Sequence, residues 1–582
     1  MPAKPIRIGG ACGFWGEANH AVAQLLTVEG LDFLAHDYLA EITLSIMARA
    51  RAKDPSAGWA PDFVSAAMAP NLARIAEKGV RVVSNAGGLN PAACAAALRK
   101  VIAEQGLSLK VAAVEGDDLT ARADAFAAQT DLGSGAPFPD PAAVASINAY
   151  LGAFPIAAAL DAGADIVVTG RCADSALVLG PCLHAHGWSA SDLDLLAAGS
   201  LAGHLIECGP QSTGGNFTDW EQAGDVAQIG YPVAEIAADG TTEIFKPDHT
   251  TGLVSPATVG EQLVYEIGDP RAYLLPDVAA DFSNVRLTRI APDRVRVEGA
   301  QGRAPSGKLK VSATYADGWR AGQVLGFEGR AARAKARAFA EAAFARTRAA
   351  LGNAPDFAET SVEILGGDGP SGECTLKLAA RHDDPKPVGL FLRETIGLAL
   401  ATPPGLTLFG AGGRPKPSPV VRLFSFLAET ADVPVKITLD GAEIPYAPPT
   451  PPPPEPLPEP HPEPLAPIAA GPMTAVPLEA LAWARSGDKG DAANIGVLAR
   501  DPDHLPWIWK ALTPAAVSAR FDGRVEGAVE RFPLPGVHGL NLLLHGALGG
   551  GGIASLRWDA QGKAYAQRLL GLPVPIPRDL AP

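Results

Sequence analysis

Four short apolar runs in the first 171 residues each end in a polar or glycine-bearing loop. They are IRIGG (6–10), VRVVSNAGG (80–88), KVAAVEGDD (110–118) and DIVVTGR (165–171). Helical patterning fills 62–78, 91–105, 140–162 and 173–186. Such alternation admits few folds, because it specifies βαβ units around a mostly parallel sheet. Residues 1–230 therefore read as an α/β ligand-binding or catalytic domain. From about residue 231 the texture changes to strand-like pieces, VRLTRIAPDRVRVEG, KLKVSATYADGW, SVEILGG and VPVKITLDGAEIP, with one Ala- and Arg-rich helix over 329–350. Residues 231–445 read as an α+β second domain.

The clearest boundary follows. Residues 445–467 hold 13 prolines in 23 positions, and fixed φ angles with missing N–H donors forbid helix or sheet there. Residues 446–472 are expected to be an extended, semi-rigid spacer. The remaining 473–582 is long enough to fold as a small α+β domain. Together the 582 residues suit three or four domains.

Composition excludes several classes. Hydrophobic residues at 47% against 19% charged mark a globular chain. A net charge of −15 argues against nucleic acid as the main partner. The N-terminus MPAKPIRIGGACGF has no apolar signal core, and no apolar run is long enough to span a bilayer. Six scattered cysteines, without CxxC or metal-type spacing, lead to the expectation of reduced thiols in a cytoplasmic protein.

In a parallel α/β sheet, ligands bind at the carboxyl ends of the strands. Four loops therefore converge on one rim: GGACGFWGE (9–17), SNAGGLNP (84–91), EGDD (115–118) and TGRCADS (169–175). Gly10, Gly13 and Gly16 have GxxGxxG spacing, unlike the dinucleotide fingerprint, so a phosphate cradle is favoured over redox cofactor binding. Asn85, Gly87, Gly88 and Asn90 form the second loop, where Asn90-Pro91 also suits a plain helix start. Arg171 can pair bidentately with a phosphate or carboxylate, or simply with Asp174. EGDD could hold a metal or be a solvated turn.

The stretch GHLIECGPQSTGGNFTDW (203–220) concentrates polar groups among glycines. The preceding residues pattern as a helix from Ser191 or Asp192 to Cys208. At about 100° per residue, Leu205 and Cys208 fall near the Leu201 direction, with His204 about 60° and Glu207 about 120° away. Apolar residues occupy most other directions, so this helix is expected to be buried. Cys208 reads as packing. A glutamate on such a helix is unusual unless paired, and desolvation favours acid–base use. Glu207 is thus the leading catalytic candidate, with His204 one turn earlier as partner. Gly209-Pro210 ends the helix, and Gln211, Gly214, Gly215 and Asn216 form a loop whose backbone could approach a ligand.

Two tail segments complete the list. ARSGDKGDAANIG (484–496) gathers Arg485, Asp488, Lys489, Asp491 and Asn494 in a glycine turn, a candidate second site without Walker A spacing. LHGALGGGGIASLRWD (544–559) is a glycine-rich loop beside His545. Both also suit tight turns in a small domain.

These motifs together resemble the acyclic terpene utilisation AtuA family, across almost the whole chain, including a ferredoxin-like C-terminal domain. The ECG–Q–TGGNFTDW string is the most specific part, and the proline segment is longer than the family leads one to expect. The resemblance implies a place in bacterial breakdown of acyclic terpenes through branched acyl-CoA thioesters, with lyase or hydratase chemistry. It assigns no catalytic residues. From the residues themselves, the expectation is proton transfer on an acyl thioester or related carboxylate. Glu207 acts as acid/base, His204 or Asp174 as modulator and Arg171 as anion anchor, with N–H groups at 87–88 and 214–215 on the thioester oxygen. Acyl-CoA is expected as substrate, with no separate cofactor or metal, no membrane, and a homo-oligomeric state. The alternatives are a non-catalytic assembly partner whose tail docks another protein, and a metal-dependent hydrolase using 115–118.

Overall fold

All four apolar runs form strands lying side by side in parallel. The computed structural model describes residues 4–17, 20–367, 372–408, 415–464, 467, 471–552 and 554–582. Strand Ile6–Cys12 pairs with Phe33–His36, then come Arg81–Ser84, Ile166–Thr169 and Val111–Glu115, every neighbouring pair parallel. Phe33–His36 is the short apolar run before Asp37. Because Ile166–Thr169 inserts between the two strands that precede it in sequence, loops from distant parts of the chain meet on one rim.

Antiparallel strands widen this sheet to eleven. Val233–Ile236 pairs with the first strand, and Lys436–Leu439 pairs with Val111–Glu115. The change of texture at residue 231 is therefore a change of strand direction within one sheet. The chain divides into two compact units: 1–314 with 424–547 and 562–582, and 315–423 with 548–561. The division thus differs from the segments read along the sequence, since 231–314 and most of the tail belong to the first unit.

The sheet explains which helices were legible. Pro91–Glu104 has Asn90 as N-cap and Pro91 at its first turn, as its sequence specifies. The pattern at 62–78 is split into Phe63–Met68 and Leu72–Lys78, with Pro70 between. The helix expected over 140–162 is a correction. Val144–Ala149 is a strand, and only Phe154–Asp161 is helical. Alanine content favoured helix there, but pairing of Val144–Ala149 with the long strand Lys308–Phe327 overrides local propensity.

In the second unit, strands Glu359–Gly366 and Cys374–His382 pair antiparallel, and the latter with 319–327. Helices Ala332–Leu351 and Pro385–Gly397 bury Phe339, Phe344 and Phe391 beneath them. Within the first unit, the tail forms a four-stranded antiparallel sheet, Ala482–Lys489, Ala492–Ala499, Gly539–Leu544 and Val529–Leu534.

The proline segment is extended, as its composition requires, but it is pinned rather than free. Arg271 donates to Pro458 O at 2.9 Å, Ser283 Oγ lies 2.6 Å from His461 Nε2, and Trp509 donates to Glu463 at 3.1 Å. Leu465, Ala466 and residues 468–470 of the expected spacer lie outside the described residues. So does Ile553 of the glycine-rich loop. All six cysteines are free thiols, and among the described residues no helix is long and apolar enough to cross a membrane.

One packing contact positions everything that follows. The helix Leu193–Ile206 ends against the first strand, where a Cβ built on Gly10 would lie 2.2 Å from Ile206 O. That oxygen is backbone and cannot swing aside. Gly10→Ala should destabilise the protein by about 3 kcal/mol, read as a lower denaturant midpoint against Gly268→Ala, whose Cβ meets nothing within 4 Å and whose φ is not left-handed.

Candidate active site at the rim of the parallel strands

The buried helix carries its last turn to the rim and presents two side chains there. His204 is 1% exposed, and its Nδ1 lies 3.0 Å from Glu207 Oε1 while its Nε2 lies 3.2 Å from Leu263 O. Both ring nitrogens thus face oxygen acceptors. A neutral imidazole has one N–H, so the second contact needs another proton. Either the imidazole is doubly protonated against a carboxylate, or a neutral Glu207 donates to Nδ1. The pair holds one mobile proton. The second oxygen, Glu207 Oε2, is buried with no hydrogen-bond partner among the described residues.

The end of the helix is held by its neighbours. Gln262 Nε2 donates to His204 O at 2.9 Å and the Ser212 hydroxyl donates to Leu205 O, satisfying carbonyls that a helix end leaves open. Gly209, at φ +55°, stops the helix. Gly13 gives the close approach on the other side, its built Cβ 2.9 Å from Glu207 O and Cys208 C. Gly10 and Gly13 therefore serve helix–strand contact, which corrects the phosphate-cradle reading.

A second set of carboxylates faces this pair. Asp37, at the carboxyl end of Phe33–His36, accepts from Asn85 Nδ2 at 2.6 Å and from Leu39 N at 3.1 Å. Burial, with repulsion from Asp174 and Glu207, holds its carboxyl above the usual range, against the pull of Arg171. Arg171 is 2% exposed and donates to Leu39 O at 2.5 Å and to Asp174 at 2.8 Å, with its guanidinium 4.2 Å over the Tyr150 ring. It is engaged by the protein, so its role as anion anchor is replaced by that of organising Asp174 and the rim.

The other rim residues singled out in the sequence divide cleanly. Asn85 stays at the site, holding Asp37 and accepting Tyr38 N–H at 2.7 Å. Asn90 is a helix cap that donates to Pro55 O and Ala57 O, both at 3.0 Å. Three of the four amide N–H groups expected to bind a thioester oxygen are committed elsewhere. Gly88 N donates to Asn85 O, Gly214 N to Gln211 O and Gly215 N to Pro210 O. Gly87 is a packing glycine, its built Cβ 2.5 Å from Thr169 O. Gln211 keeps a buried side-chain oxygen without a protein partner.

In the 115–118 loop, Asp117 accepts from Arg171 N and Asn148 Nδ2, both at 2.8 Å, and burial pushes it up to about 7. Asp118 pairs with Arg51 at 2.8 Å. Among the described residues, no three His, Cys, Asp or Glu side chains are grouped to hold a metal. Burial, then Glu207 and Glu266, push the Cys208 thiol up, leaving it protonated and a poor nucleophile.

The tail turn is no separate site. Arg485 donates to Asn216 O at 2.6 Å, with its guanidinium 4.9 Å from the Tyr265 ring. Asn494 donates to Val264 O at 2.7 Å and accepts Glu266 N–H at 2.9 Å. Asp488 pairs with Lys563 at 3.0 Å, and Lys563 also pairs with Glu266 at 2.6 Å. Lys489 Nζ sits 5.6 Å from the Tyr273 ring centre, and that ring lies 5.4 Å from the His204 ring. Asp491 is exposed, beyond this group. The second half of the 203–220 stretch holds the tail in place. Asn216 O receives Arg485, Thr218 Oγ1 exchanges bonds with the Ala484 backbone, and Asp219 takes Arg500 at 2.6 and 2.7 Å and Trp483 at 2.8 Å.

Sequence reasoning passed over Asp37, Tyr273 and Lys563 as site residues. Asp37 follows an apolar strand as the other four loops do, so the same rule, applied to that strand, would have found it. Tyr273 and Lys563 carry no local signal, because only tertiary packing brings them to the rim.

By fold and site, this is an α/β protein with a buried His–Glu pair and a carboxylate group at the carboxyl rim of its parallel strands. The description "acyclic terpene utilisation family protein AtuA" matches residues 6–439, and "AtuA ferredoxin-like domain" matches residues 476–575. The chain belongs to the AtuA family. No curated protein and no solved structure gives a match.

Glu261 offers a test of the seam between helix Pro256–Leu263 and the tail. It is 3% exposed, accepts Thr218 N–H at 3.1 Å and leaves its other oxygen unpartnered. Burial raises it from 4.5 to about 7. The unfolded chain releases this proton near 4.5 while the folded one keeps it to about 7, so its contribution to stability falls across that window. Glu261→Gln should flatten the fall and gain about 2 kcal/mol at pH 8 relative to pH 4, read from unfolding midpoints at both pH values.

Proposed function

We propose that this protein is an enzyme of acyclic terpene catabolism that moves a proton at the carbon next to a branched acyl thioester, in a lyase or hydratase type reaction. The family places the chain in acyclic terpene utilisation. The observation that carries the chemistry is the His204–Glu207 pair, with both ring nitrogens facing oxygens and one glutamate oxygen left unpartnered.

In the ion-paired form, Glu207 Oε2 accepts the proton from the α-carbon, while the imidazolium stabilises the charged carboxylate through Oε1. Leu263 O fixes the ring so that it cannot turn away from Glu207. Burial and the repulsion of Asp174 and Glu207 raise the Asp37 carboxyl, against the pull of Arg171, which suits it to supply the acid that a departing β-hydroxyl requires. Arg171 holds Asp174 in place on the same rim.

The test uses isovaleryl-CoA in D2O, with deuterium entry at the α-carbon followed by mass spectrometry. The wild type should incorporate deuterium, and Glu207→Gln should slow it by about 10²–10⁴-fold, the range of a lost general base. His204→Gln should slow it as well, with an unchanged unfolding midpoint for Glu207→Gln separating chemistry from folding. Absence of exchange in the wild type, or normal exchange in Glu207→Gln, overturns the assignment.

A further inference from the structure

Removing a proton beside a thioester leaves an electron pair that must settle on the carbonyl oxygen, and that oxygen needs donors. The backbone amides of Gly88, Gly214 and Gly215 are spent on Asn85, Gln211 and Pro210 carbonyls. Of the four amides expected there, only that of Gly87 makes no bond to a described residue, so further donors must come from side chains.

The geometry points to Tyr273 and Lys489 as the groups that receive the thioester oxygen, the second of them supplied by the C-terminal domain. The Tyr273 ring packs at a tilt, 5.4 Å from that of His204 and 5.1 Å from that of Phe282, which fixes it beside the acid–base pair. Its hydroxyl has no hydrogen-bond partner among the described residues. Burial, then Glu207 and Asp174, hold the phenol above its usual range, so it stays a donor. Lys489 is exposed and makes no ion pair with a described residue, whereas the neighbouring Lys563 is held by Glu266 and Asp488. Its ammonium lies 5.6 Å from the Tyr273 ring centre, on the hairpin of Ala482–Lys489 and Ala492–Ala499.

The hairpin is fixed to the core rather than loosely apposed. A Cβ built on Gly487 would lie 2.5 Å from Glu266 Cγ, and one on Gly496 would lie 2.1 Å from a Val264 methyl carbon. Asn494 and Asn541 clamp the backbone of residues 264–268 at 2.7–2.9 Å. A lysine so placed needs little reorganisation to meet developing negative charge.

This inference rests on the proton-transfer reading. The Cα–H bond breaks, its proton passes to Glu207, and its electron pair forms the carbon–carbon double bond of the enolate. The carbonyl π electrons move to oxygen, which accepts a hydrogen bond from the Tyr273 hydroxyl and faces the Lys489 ammonium. Return of a solvent deuteron to the carbon completes exchange with no net redox change.

Deuterium exchange into isovaleryl-CoA tests it, alongside the affinity for isovaleryl-CoA by calorimetry, in full-length Tyr273→Phe and Lys489→Met. Each variant should exchange at saturating thioester about 10²-fold slower, as expected for loss of one oxyanion donor, with affinity within about threefold. Lys489→Arg, which keeps the charge, should recover part of the rate. Exchange at the wild-type rate in both variants overturns the inference and leaves the Glu207 reading standing. Weaker binding with an unchanged saturated rate also overturns it, because it makes Lys489 a binding group only. No exchange in the wild type overturns both. Should Tyr273→Phe unfold, the exposed Lys489→Met carries the test alone.

Discussion

The structure depends on how closely the end of one buried helix can come to one strand. Gly10 and Gly13 leave no side chain in the way, so the backbone of Ile206 to Cys208 lies directly on the loop after the first strand. That approach brings Glu207 to the carboxyl rim, where a helix end would otherwise stop short. It also turns the helix C-terminus, an unfavourable place for a carboxylate, into a fixed one, since Gln262 and Ser212 satisfy its carbonyls. His204 then has only one orientation that serves both Leu263 O and Glu207.

Charge is the second constraint. Asp37, Asp174 and Glu207 lie close enough to repel one another, and Arg171 is buried among them. Three carboxylates and one buried cation favour at least one proton held in the cluster. The C-terminal domain brings compensating positive charge to the same neighbourhood through Lys489, Lys563 and Arg485. For a chain of net charge −15, this local arrangement matters more than the overall balance, because desolvated neighbours act where distant surface charges are screened.

Reading the sequence located the rim and its central residue for sound reasons. Strand ends gave Asn85, Asp117 and Arg171, and helical geometry with an apolar surround gave Glu207 and His204. The same reading misassigned the glycines. It took Gly10, Gly13, Gly214 and Gly215 as open backbone, whereas they are sites of close approach or of internal turns. A glycine permits both uses, and local sequence does not say which backbone lies opposite. The alanine-rich 140–162 failed for a related reason, since sheet pairing decided Val144–Ala149 against its helical composition. The 484–496 turn was singled out as unusual, yet its separation from Glu207 by almost three hundred residues hid that Lys489 lies against Tyr273, the ring beside His204.

By itself, then, the sequence determined the parallel α/β core, the extended proline segment, the buried helix with its glutamate, and the family. Each of these rests on period, backbone restriction or a specific string, which are local properties of the chain. Tertiary structure alone decided that 231–314 extends the same sheet, that the tail is joined to the site, and that Tyr273 lies beside His204 with Lys489 near its ring. Those outcomes depend on which backbones approach one another across long stretches of chain, and no local spacing encodes that.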